Sequence, residues 1–262
     1  MSWFGTVVGG AFGFFLGGPL GAVLGASVAH QIGKNSETIE PLNIGDQQRV
    51  QMAFFTATFS VMGHLAKADG VVSTEEISQA TRIMDEMALT SDLRATAIDL
   101  FKQGKQTDFK LDEVLAQFHK ECHRRIDVIR MFVAIQLQVA YADGGLSASE
   151  EKLLLHICGK LKLSRFDYER LKIQSQAQQR FQSQGYYSRQ SPRRNDLHDA
   201  YGVLGLPPSA TQVEVKKAYR RLMNQNHPDK LVAKGLPEEM MVLAKEKTQK
   251  ISKAYETIQK SK

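Results

Sequence analysis

The chain of 262 residues has room for one large domain or two small ones with connecting segments, and its 42% hydrophobic content excludes disorder throughout. Its two cysteines, Cys122 and Cys158, stand 36 positions apart with no CxxC pair, which argues against a disulfide framework or a zinc ribbon and for a reducing compartment. The formal charge of +6 is uneven: residues 46–175 carry 17 Lys/Arg against 18 Asp/Glu, whereas residues 199–262 carry 12 against 7, so the basic excess belongs to the C-terminal piece.

From Trp3 to Ala29 there is no charged residue, and these 27 residues as a helix would span about 40 Å at ~1.5 Å each, enough for a hydrocarbon core of ~30 Å. Residues 1–33 therefore predict a membrane anchor. The opening Met-Ser offers no positive region for a cleavable signal, Trp3 and Phe4 suit one interface, and His30, Gln31 and Lys34 mark the exit at the other. Glycine recurs every fourth position at Gly5, Gly9, Gly13, Gly17, Gly21 and Gly25, which on a helix makes a groove for close backbone approach and predicts a homodimer through this segment. Pro19 falls within the series.

Residues 46–175 read as helix after helix. Met52, Phe55, Phe59, Met62 and Leu65 or Ala66 recur at helical spacing in one apolar stretch, and Ile129, Phe132, Ile135, Val139 and Ala142 do so in another. Each stretch runs into a copy of one motif, ADGVVSTEE from Ala68 and ADGGLSASE from Ala142, displaced by 74 residues, so the domain has two related halves. In each copy a glycine, Gly70 or Gly144, can turn the chain, and Ser73 with Glu76 or Ser147 with Glu150 can form a capping box on the next helix. The same spacing matches the second half of a calcium loop. The first ligand positions fall on Leu65 and Lys67, or on Val139 and Tyr141, so a complete site is excluded and Asp69, Glu76, Asp143 and Glu150 are left as a partial cation site at most. In the stretch HKECH, His119 and His123 stand one helical turn apart, Cys122 points elsewhere, and no third ligand is identifiable.

The paired motifs on an all-helical body resemble the TerB-like domain. That resemblance implies an interaction or sensing module with acidic surface residues and no established catalysis.

Residues 176–198 shift to Gln, Ser and Arg with Gly185 and Pro192, and predict a flexible linker reaching about 25 Å that would let the soluble parts move independently. Beyond it, DAYGVLGL predicts a short helix stopped by Gly205 and two prolines, and Thr211 with Glu214 opens a second helix as a capping box. That helix sets Val215, Ala218, Tyr219 and Leu222 on one stripe and Lys216, Lys217, Arg220 and Arg221 elsewhere, while a last helix sets Ala244, Thr248, Ile251, Tyr255 and Ile258 for close antiparallel packing. Between them stands His227-Pro228-Asp229. As an acid/base pair it lacks a nucleophile and a concave site, and as a metal site it offers two ligands at most. A docking handle makes physical sense, because Pro228 fixes the backbone and leaves little ordering entropy to lose on binding.

DAYGVLGL, VKKAYRRL, HPDK and ISKAYETI, in this order over residues 199–262, resemble the J domain. The resemblance implies stimulation of a DnaK-type chaperone ATPase, with His227, Pro228 and Asp229 as the trigger and Lys216, Lys217, Arg220 and Arg221 as the basic face meeting the chaperone. Asn226 and Thr248 stand where that family usually carries aromatic residues. Anchor, TerB-like domain and J domain together, with KLVAKGLPEEMM inserted between the last two helices, resemble the bacterial membrane-anchored DnaJ-like co-chaperones. The resemblance implies an all-α protein of the inner membrane, single-pass, with its soluble domains in the cytoplasm. Such a protein is expected to be no enzyme and to use no cofactor, no metal and no nucleic acid. The competing reading is a membrane stress sensor working mainly through its TerB-like domain and linked to a cation.

Overall fold

The computed structural model describes Gly18, Leu20, Gly21 and residues 45–68, 70, 74–87, 89–141, 145–184 and 194–261. The described residues form eleven α-helices and one 3-10 turn with no strand, the all-α architecture expected. The first seven helices are α1 (Asp46–Leu65), α2 (Thr74–Glu86), α3 (Ser91–Gly104), α4 (Leu111–Cys122), α5 (Ile126–Ala140), α6 (Ala148–Lys160) and α7 (Arg165–Gln184). The J-like hairpin comprises α8 (Arg194–Val203), α9 (Gln212–Asn226), α10 (Pro228–Ala233), a 3-10 turn (Glu238–Met240) and α11 (Met241–Lys260).

Beyond its polar first turn, α1 carries no Asp, Glu, Lys or Arg and has apolar residues on every face, so its stable place is the middle of the bundle. From Val50 to Leu65 every residue but His64 is buried, with α3, α4, α5 and α6 packed around it. At the crossing with α3 the two backbones touch through reciprocal glycines. A Cβ on Gly63 would stand 2.0 Å from the Phe101 carbonyl oxygen, and one on Gly104 would stand 1.8 Å from that of Ser60. Phe54, Phe118 and Phe132 meet edge-on or tilted at centroid distances of 4.7 to 6.4 Å, locking α1, α4 and α5 together.

The two stretches that end in the repeated motif become α1 and α5, which lie against each other. The buried Gln136 amide of α5 donates to the Thr58 carbonyl of α1 at 3.1 Å. In the second copy the cap forms as its sequence dictates: Ser147 Oγ accepts from the Glu150 N–H at 3.2 Å, and Glu150 Oε2 accepts from the Ser147 N–H at 2.8 Å. In the first copy Asp69 and Ser73 lie outside the described residues.

The second core is built from the stripes read in the sequence. Tyr201, Leu204, Val215, Ala218, Leu222, Ile251, Ala254 and Ile258 are buried together, and Tyr219 stacks on Tyr255 with centroids 4.3 Å apart. Thr211 and Glu214 cap α9 reciprocally at 3.3 and 2.7 Å. Gly205, at φ +67°, closes α8 in a Schellman turn in which the Leu206 N–H reaches the Tyr201 carbonyl at 3.0 Å.

The linker expectation is corrected at both ends. The α7 helix continues to Gln184 and α8 begins at Arg194, because the far half of α7 is a packing surface for the J-like hairpin. Ala177 is buried in the second core, Gln174 is buried beside Gly205, and a Cβ on Gly202 would stand 2.8 Å from that of Ala177. The insertion is the other half of the seam. Leu231, Leu236, Met240, Leu243 and Ala244 are buried in the first core, the Gln47 amide donates to the Val232 carbonyl at 3.2 Å, and Lys234 pairs with Asp127 at 2.5 Å. The hairpin is thus seated on the helical body rather than free beside it.

Of the apolar N-terminal stretch, Leu20 is buried in the first core and its N–H donates to Gln117 Oε1 at 2.8 Å. Among the described residues no helix is long and apolar enough to cross a membrane.

Candidate functional site

His227 is the single residue between α9 and α10. A residue preceding proline is disfavoured in the helical region, and His227 accordingly adopts φ −61° and ψ 124°, ending α9. Pro228 then occupies the first position of α10, where its missing N–H costs nothing, and the Leu231 N–H closes the first turn on the His227 carbonyl at 3.0 Å. The His227 and Asp229 side chains emerge on either side of this fixed point. Both are exposed, and neither is hydrogen-bonded or ion-paired among the described residues. The adjoining turn is braced from behind: the Asn226 amide donates to the Leu222 carbonyl at 2.8 Å, and Lys230 donates to the Asn224 side chain. Asn226 is therefore buried and satisfied without an aromatic ring, and Thr248 is satisfied in the same way by the Lys245 carbonyl at 2.8 Å.

Lys216, Lys217, Arg220 and Arg221 lie at offsets of one, four and five residues along α9, on one outward face. All four are exposed and free of carboxylate partners among the described residues, and the acid nearest them in sequence, Glu214, is held by the cap. The helical body adds positive charge from below. Arg170 of α7 lies near Arg221, and its pKa is lowered first by burial and then by that neighbour.

Behind this face a chain of ion pairs ties the insertion to α7. Lys234 meets Asp127 at 2.5 Å, Asp127 meets Arg130 at 3.3 Å, and Arg130 meets Asp167 at 3.2 Å, which also holds Arg170 at 3.0 Å. Burial alone would raise the Asp167 pKa, yet the Ser164 hydroxyl with the Arg130 and Arg170 guanidiniums holds its carboxyl below the usual range. Sequence reading missed this seam. Its trace was there, since Leu231, Leu236, Met240 and Leu243 are too many apolar residues for a loop tip in water.

The other candidate residues do not converge. Glu150 is buried and engaged in the cap, Asp69 and Asp143 lie outside the described residues, and so does the side chain of Glu76. His119 and His123 have centroids 6.3 Å apart, but Cys122 turns into the core, where burial pushes its thiol up to about 12. Among the described residues no group of three His, Cys, Asp or Glu side chains could hold a metal ion. Of the glycine series only Gly21 is described; Gly5, Gly9, Gly13, Gly17 and Gly25 are not.

Three family models match in succession: the co-chaperone DjlA transmembrane domain over residues 1–48, the tellurite resistance protein TerB over residues 55–173, and the DnaJ domain over residues 199–262. A co-chaperone protein DjlA of Coxiella burnetii is 44% identical across 99% of this chain and 98% of its own length. Those of Photobacterium profundum and Vibrio cholerae are 41% identical (98% of each chain) and 43% identical (100% of this chain, 99% of the relative). No solved structure matches. With a TerB-like body, a seated J domain and an N-terminal membrane segment in the same order and nearly the same length as these relatives, the chain belongs to the DjlA family of DnaJ-like co-chaperones.

Proposed function

We propose that the chain stimulates ATP hydrolysis by a cytoplasmic DnaK-type chaperone and performs no chemistry itself, with His227, Pro228 and Asp229 as the trigger. The observation that carries this reading is the presentation of that tripeptide: two exposed side chains about a fixed proline, at the end of a stripe of four cations, none of them paired among the described residues. Lys216, Lys217, Arg220 and Arg221 steer an acidic chaperone surface to the tip, an encounter that salt screens. In a single-turnover ATPase assay with a DnaK-type chaperone, His227→Gln should abolish stimulation while leaving helicity and melting unchanged. Full stimulation by the variant would refute the trigger, and a collapse in stability would make His227 structural.

The uncharged segment Trp3 to Ala29 crosses the inner membrane once, keeping the soluble part in the cytoplasm with ATP, and its glycine series pairs two copies. Leucines at Gly13 and Gly17 should leave insertion intact and remove crosslinked dimers; undiminished crosslinking would rule the groove out. The burial of Leu20 against the helical body favours a second reading, in which this segment lies on the protein. Alkaline carbonate separates the two, since it extracts a segment that does not span.

A further inference from the structure

The seam between the TerB-like body and the J domain holds a partly open cavity of about 220 Å³. Its lining includes apolar Met131, Ala134 and Ile135 of α5 and Leu243 of α11, together with five uncharged polar residues of α5, α7 and the Tyr141 cap. The charged lining comes from both domains: Arg82 on α2, and Glu246, Lys247 and Lys250 on α11. The acids are already engaged, since Glu86 holds Arg82 at 2.6 Å and Glu246 lies near Lys250, whose ammonium it favours. Lys247 has no hydrogen bond or ion pair among the described residues, and the like charge of Lys250 lies near it. Burial, helped by Lys250, brings its ammonium down to about 8, so at neutral pH it remains a cation facing the cavity. Lys247 is half-buried, so its unpaired charge is only partly hydrated, and a counter-ion in the cavity would relieve that.

We propose that this cavity is a binding site for a small organic anion, a carboxylate or phosphate carried on an apolar body, with Lys247 as its principal cation. The size suits the class. A void of about 150 Å³ holds a benzene ring, whereas drug-sized ligands need ~300–1,000 Å³. The acid group meets Lys247 with Arg82 and Lys250 alongside, and the apolar body lies on Met131, Ile135 and Leu243. Because the walls come from both domains, the anion binds the seated arrangement better than a separated one and holds the J domain on the body. The site therefore links a small metabolite to the orientation in which the J domain is presented, and it stands whether or not the ATPase reading does.

Isothermal titration of the full chain in detergent with benzoate, phenyl phosphate and the neutral benzyl alcohol tests this directly. Saturable binding of at least one of the two anions is expected, with none of the alcohol and a raised melting temperature of the complex. Lys247→Met keeps the apolar stem, removes the charge, and should weaken anion binding at least tenfold; Ala134→Leu, which fills the cavity from α5, should weaken it as much. Absence of saturable binding by either anion, equal binding of the alcohol, or undiminished affinity in Lys247→Met would overturn the proposal.

Discussion

Replacing Gly235 by alanine separates a seated J domain from one that is merely tethered. Gly235 closes α10 at φ +93°, with the Leu236 N–H on the Leu231 carbonyl at 2.9 Å, and it lies against α1. A Cβ there would stand 2.5 Å from Val50 Cγ1 and 2.9 Å from Val50 Cβ. The substitution carries two costs, and they belong to different states. The left-handed backbone costs an alanine about 1–2 kcal/mol whether or not the domain is seated. The clash exists only in the seated state, and because valine on a helix is held to one rotamer it cannot swing clear, so overpacking adds about 1–3 kcal/mol there. The second cost should shift the seated-to-separated ratio by roughly 5-fold to 150-fold. Amide hydrogen exchange across residues 236–244 reads that ratio. A double-mutant cycle with Val50→Ala isolates the contact, because removing the Val50 methyls relieves the 2.5 Å clash but leaves its Cβ at 2.9 Å, so part of the protection lost in Gly235→Ala should return while the backbone strain stays in place. If Gly235→Ala has the same effect on exchange with and without Val50→Ala, the two residues do not meet and the seam is wrong.

Lys162 is the one described non-glycine residue at positive φ (56°), closing α6 in a Schellman turn with the Leu163 N–H on the Cys158 carbonyl at 2.9 Å; Lys162→Gly should therefore raise thermal stability by up to ~1 kcal/mol, and a lower melting point would refute the strain. Gly63→Ala drives a Cβ to 2.0 Å from a backbone oxygen that cannot move aside, so it should cost at least ~3 kcal/mol or abolish folding, measured by urea midpoint; a cost below ~1 kcal/mol would mean that α1 and α3 are not in contact there. His64 is half-buried, its ring 5.3 Å from that of Phe109, and burial lowers its pKa more than its bond to the Gly104 carbonyl at 3.1 Å raises it. The unfolded chain takes that proton first, near pH 6.5, so stability should fall as pH drops through about 6.5 and level off below the folded pKa. His119 is shifted the same way by burial, so the slope of the urea midpoint against pH should shrink rather than vanish in His64→Asn; an unchanged slope would exclude His64 as a source.

The amino-acid sequence by itself determined what depends on neighbours within a few turns. Thr211 with Glu214 and Ser147 with Glu150 form the caps their spacing dictates, Gly205 and Pro228 place the breaks around α8 and α9, and periodicity put Val215, Ala218 and Leu222 inside with Lys216, Lys217, Arg220 and Arg221 outside. The exposed tripeptide was legible for the same reason, since proline constrains the residue before it whatever surrounds the loop. Only the tertiary structure decided what residues far apart do to one another. The Gln-rich stretch after Ser175 has the composition of a linker, but the J domain buries Ala177 and lies along α7, so helix is kept there. The insertion has the composition of a loop, yet it buries Leu231, Leu236 and Met240 against α1 and its neighbours. Gly63 and Gly104, 41 positions apart and ordinary in their local settings, are required only because two backbones meet at them. Composition and periodicity register local preference, whereas burial across a seam depends on which surfaces the folded chain brings together, and no window of neighbouring residues contains that information.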